Sequence, residues 1–101
     1  MIKTEPTPRE LEAINFLHAM NLFDMANALA ETSNKMFEQR MESFRIGTEF
    51  ARPTNNQRKL LKNLEMIESS FRIFREFQLR QRRVEADLES PTKDLSAEAH
   101  P

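Results

Sequence analysis

The chain has 101 residues, 15 basic and 16 acidic side chains and a net charge of −1, which fits one small domain and argues against a general polyanion or membrane-surface binder. It has no cysteine, which excludes disulfides, thiolate metal sites and thiol nucleophiles and fits a reducing, cytoplasmic setting. One glycine, one valine and neither Tyr nor Trp leave little from which to build strands and tight hairpins, whereas good helix formers dominate, so an all-α fold is expected.

Residues 1–7 read as a short disordered lead. They are polar and contain proline instead of an apolar run, so no secretory signal is expected. The first helix is expected over residues 8–46. Thr7 caps it, Pro8 suits the first helical position, and Glu10 completes a capping box. No Gly or Pro interrupts the pattern before Gly47, which is placed to close the helix in a left-handed conformation. A break near Asn21 is the one interruption considered. The most apolar stretch, residues 13–30, carries Asn15, His18, Asn21, Asp24 and Asn27, so no membrane span is expected. Residues 47–53 form the loop. Thr54 to Gln57 repeats the capping box, and a second helix runs over 54–89 until Ser90-Pro91 stops it. Residues 90–101 read as a disordered tail.

Two helices of this length suggest a coiled-coil-like antiparallel hairpin. Phe16, Phe23, Ala30, Phe37 and Phe44 recur every seven residues, as do Leu60, Ile67, Phe74, Gln81 and Leu88. Folding back at Arg52 sets Phe44 opposite Leu60, Phe37 opposite Ile67, Ala30 opposite Phe74, Phe23 opposite Gln81 and Phe16 opposite Leu88. One edge of this seam is then apolar, with Leu22, Leu29 and Met36 beside Met66 and Ile73. The other is charged: Asp24, Glu31, Glu38 and Arg45 face Glu68, Arg75 and Arg82, with Asp24–Arg82 and Glu31–Arg75 as expected pairs. Two helices cannot enclose a core, so the apolar edge needs a cover. A second copy, completing a four-helix bundle, or a helix of another protein would supply one. Alternatively, the first helix breaks and its early part folds back into a self-covered three-helix bundle.

The functional expectation is a non-enzymatic interaction protein of adaptor, small-chaperone or inhibitor type. Its partner face would be Leu22, Leu29, Met36, Met66 and Ile73. Met20, Met25, Met36, Met41 and Met66 lie on or near apolar faces, and methionine adapts to irregular partners as readily as it fills cores. The alternative is a small nucleic-acid-binding regulator. Residues 52–83 carry nine bases and three acids, and Arg72, Arg75, Arg82 and Arg83 share one broad face that would track phosphates. Those arginines equally suit neutralising residues 1–50, which carry five bases and eight acids. His18 and His100 lack metal-ligand spacing, one glycine cannot make a phosphate loop, and no triad or nucleophile elbow occurs. No cofactor, metal or catalytic residue is expected.

Overall fold

The computed structural model describes residues 5–52 and 54–89, the side chains of Leu88 and Glu89 excepted. The predicted lead before residue 5, the tail over 90–101, His100 and the Leu88 end of the seam lie outside the described residues. Among those described, the chain forms five helices and no strand: α1 (Pro8–Ala19), α2 (Phe23–Ala30), α3 (Asn34–Phe50), α4 (Asn55–Lys62) and α5 (Leu64–Glu89). None is long and apolar enough to cross a membrane. The single long hairpin is therefore corrected: the first helical run is three helices, and α1 and α2 pack on α5.

The start signals are realised as hydrogen bonds. Glu10 N–H donates to Thr7 Oγ1 at 3.2 Å, and Thr7 N–H donates to Glu10 Oε1 at 2.8 Å, a complete capping box. Thr54 Oγ1 accepts from Gln57 N–H at 3.1 Å.

The first break comes from an asparagine. Asn21 adopts φ 61°, in the left-handed region. Its N–H donates to His18 O at 3.0 Å, and Leu22 N–H donates to Leu17 O at 2.8 Å. These two bonds make a Schellman ending in which Asn takes the usual place of Gly. Leu17 and Leu22, the positions that pack together in such an ending, are both buried.

The second break lies at Thr32-Ser33. Thr32 Oγ1 donates to Leu29 O at 2.7 Å, and Ser33 Oγ accepts from Met36 N–H at 3.3 Å, opening α3. A third, smaller break falls at Asn63, whose Nδ2 donates to Lys59 O at 2.8 Å.

Gly47 does not close a helix. It lies inside α3, no glycine has positive φ, and a Cβ at Gly47 would meet nothing within 4 Å. The helix runs on to Phe50 and ends where Ala51 turns extended, just ahead of Arg52-Pro53. Gly47→Ala is expected to raise stability by about 1 kcal/mol, read as a higher urea midpoint at unchanged slope.

α1, α2, α3 and α5 each bury a stripe, and α4 buries none. Ala13 and Leu17 do so on α1, continued by Met20 just past its end, with Ala26, Leu29 and Ala30 on α2, Phe37, Met41 and Thr48 on α3, and Ile67, Phe71, Phe74 and Phe77 on α5. The alanines of α2 allow close approach to α5. Of the seam residues, Ala30, Phe37, Ile67 and Phe74 are core, and Phe16, Phe23, Phe44 and Leu60 pack against it. Its pairing is corrected. Phe23 meets Phe74, with ring centroids 5.2 Å apart, instead of Gln81, and Phe44 meets Phe71 at 5.6 Å instead of Leu60. α3 lies further along α5 than an unbroken hairpin would place it, with Phe44 at Phe71 and Glu38 at Arg72, because α4 and the break at Asn63 intervene between the two helices. The break at Asn63 lets α4 return, so that Gln57 Nε2 still donates to Thr48 O at 2.7 Å.

Candidate interaction surface

The folded-back α1 is fastened by Glu10. Arg80 donates from Nη1 to Oε2 and from Nη2 to Oε1, each at 2.6 Å, and the guanidinium lies 5.4 Å from the Phe77 ring centre. These bonds hold the Glu10 carboxyl down to about 2, against the opposing pull of burial and with further help from the Thr7 backbone N–H. The capping pattern made Glu10 legible as a helix-start residue, but nothing in one sequence indicated that it would meet Arg80.

The charged edge forms with shifted partners. Arg82 lies 4.0 Å from Glu31 instead of Asp24. Arg75 Nη2 donates to Thr32 O at 2.8 Å, and its guanidinium lies 4.9 Å from the Phe37 ring centre. Glu38 takes a two-point contact from Arg72, at 2.5 and 2.9 Å, which lowers its carboxyl pKa and raises that of the guanidinium. Arg45 lies 3.9 Å from Glu68 and binds Glu42 at 2.6 Å. Of the four arginines on the expected nucleic-acid face, Arg72, Arg75 and Arg82 thus reach residues 31–38, while Arg83 is exposed.

The five residues expected on the partner face separate. Leu22 and Leu29 lie in the core, Ile73 is half-buried, and Met36 and Met66 are exposed. Met66 and Ile73 line a groove of about 280 Å³ with Ala13 and Phe16, so α1 forms one wall of what the hairpin left open. Of the other methionines, Met20 and Met41 are core and Met25 is exposed. His18 stacks on Phe23, with centroids 4.1 Å apart and rings 12° from parallel, and no metal-holding cluster of His, Asp or Glu occurs among the described residues.

Sequence reading missed the outer face of α3. Met36, Gln39, Ser43, Ile46 and Phe50 follow one another at alternating steps of three and four, and all are exposed. Phe50 is 81% exposed, Ile46 46% and Met36 40%. This row lies one residue position, about 100° of helix, from the inward stripe of buried Phe37 and Met41 and half-buried Phe44. Beside it, Met25, Ala28, Leu29, Arg40, Ser43 and Phe44 line an apolar cleft of about 330 Å³ between α2 and α3. On its other flank an open cleft of about 630 Å³ is lined by residues that include Arg45, Glu49, Leu61, Lys62 and Met66. The 3-4 spacing was the available signal, but it was overshadowed by the stronger phenylalanine heptad one position away. No family model matches this chain, and no curated protein or solved structure is significantly similar to it.

Proposed function

We propose that this protein is a non-enzymatic protein–protein interaction module, of adaptor, small-chaperone or inhibitor type, that docks a helix on the outer face of α3. The supporting observation is the exposed row from Met36 through Ile46 to Phe50, on a helix whose inner stripe is already satisfied by α5. Single exposed apolar residues are ordinary, but a row at coiled-coil spacing along four turns of one helix is a docking pattern. Glu10, Glu38 and Glu42 are each tied to an arginine, an arrangement suited to fixing structure and ill suited to moving protons. The pairing of Arg72, Arg75 and Arg82 with residues 31–38 of the same chain weakens the nucleic-acid reading.

The double variant Met36→Glu/Phe50→Glu tests this reading. Both side chains are exposed, so the variant is expected to keep wild-type helicity and lose less than about 1 kcal/mol of stability. It should also lose self-association and retention of partner proteins. If circular dichroism, solution mass and the set of proteins retained from a lysate all match wild type, α3 is not the docking face.

A further inference from the structure

We infer that the occupant of the α3 face is a second copy of this chain, packed antiparallel across a two-fold axis at Ser43. This rests on the interaction reading above and names the partner. A two-fold interface must be self-complementary, and the α3 row is. Met36 and Phe50 are equally spaced on either side of Ser43, as the sequence numbering shows. Antiparallel pairing therefore sets Met36 of one copy over Phe50 of the other, Gln39 beside Ile46, and Ser43 over Ser43.

The flanking columns bear on the same register. In an antiparallel pair each flank meets the same flank of the partner, so Lys35 of one copy faces Glu49 of the other, and this happens twice; Glu42, between them in that column, faces its own copy and is neutralised by Arg45 of its own chain at 2.6 Å. Lys35 has no ion pair among the described residues, so it is available to the partner's Glu49. On the opposite flank, Arg40 falls beside Gly47, where the missing Cβ leaves room for a long side chain. An unrelated helix would have no reason to reproduce this match, whereas a second copy brings it automatically.

The absence of cysteine makes a covalent test clean. Helices pack with axes about 8–10 Å apart, and Cα atoms lie about 2.3 Å from each axis. Facing Cα atoms at the two-fold therefore lie about 3.4–5.4 Å apart, a range that overlaps the roughly 4.4–6.8 Å a disulfide needs. Ser43→Cys is expected to form a disulfide-linked dimer on mild oxidation, lost on reduction. Ser69→Cys, exposed on α5 away from the row, should not. Lys35→Glu should raise the dimer dissociation constant by about tenfold, and Lys35→Glu with Glu49→Lys should restore it.

Failure of Ser43→Cys to link, linking no better than Ser69→Cys, or absence of the charge-swap rescue would overturn the inference. The broader reading would still stand if Met36→Glu/Phe50→Glu abolished retention of a different protein.

Discussion

Replacing Phe74 by alanine is expected to destabilise the fold by about 3–5 kcal/mol, the range for truncating a buried aromatic whose cavity cannot collapse. Phe74 is 2% exposed at the middle of α5, packs edge-on against Phe23 of α2 and lies 6.5 Å from Phe77. It belongs to the same buried cluster as Leu17 of α1 and Phe37 of α3. Its removal opens the point where the helices meet, and a chain of this size has only about 5–15 kcal/mol in total. Phe50→Ala is the internal comparison. That side chain is 81% exposed, and its loss should change the unfolding free energy of dilute protein by no more than about 0.5 kcal/mol. Urea titrations of both variants measure this. A cost below about 1 kcal/mol for Phe74→Ala would mean that α2 does not pack on α5 as described.

The second large effect lies in the pH dependence. Glu10 has its carboxyl pKa lowered from 4.5 to about 2 by Arg80. A carboxylate whose pKa falls on folding contributes stability that is complete above its unfolded value and is lost as pH drops through the folded one. Wild type should therefore lose this contribution progressively between about pH 4.5 and pH 2. Glu10→Gln should cost about 2 kcal/mol at neutral pH, the scale of charged hydrogen bonds on a largely buried acceptor. It should also flatten the acid limb of the melting-temperature profile. Glu38 is depressed in the same direction by Arg72, but it is exposed and screened, so removing it should change the profile little. An acid limb that keeps its wild-type slope in Glu10→Gln would show that the α1 clasp is not formed in solution.

The parts of this fold legible in the sequence were those governed by local chemistry. Thr7 and Thr54 cap helices as their capping boxes indicated. The heptad phenylalanines and their partners Ala30 and Ile67 lie in or against the core, because a sustained apolar spacing has to be buried somewhere.

The break at Asn21 was considered but not required, and that at Thr32-Ser33 was missed, because Gly and Pro were treated as the only strong punctuation. Asn tolerates the left-handed conformation almost as well, and Asn21 flanked by Leu17 and Leu22 is a recognisable ending. Thr32-Ser33 uses side-chain hydrogen bonds to the backbone in place of a glycine. Once these breaks exist, which arginine meets which carboxylate depends on helix placement. That is why Arg82 reaches Glu31, and why Glu10 reaches Arg80 some seventy positions away. The α3 row was hidden for a related reason. One long helix could present one seam and two edges, whereas a short α3 held by Phe37 and Phe44 exposes a face of its own.

The most direct test of the whole account is absolute mass in solution, by light scattering behind a sizing column, with helicity followed over the same concentrations. A fold that covers its own core and binds a second copy through α3 should pass from one chain mass to two as concentration rises. It should be equally helical at both ends, and Met36→Glu/Phe50→Glu should hold it at one chain mass throughout. A single chain mass for wild type at every concentration, or a dimer indifferent to that variant, would contradict the account.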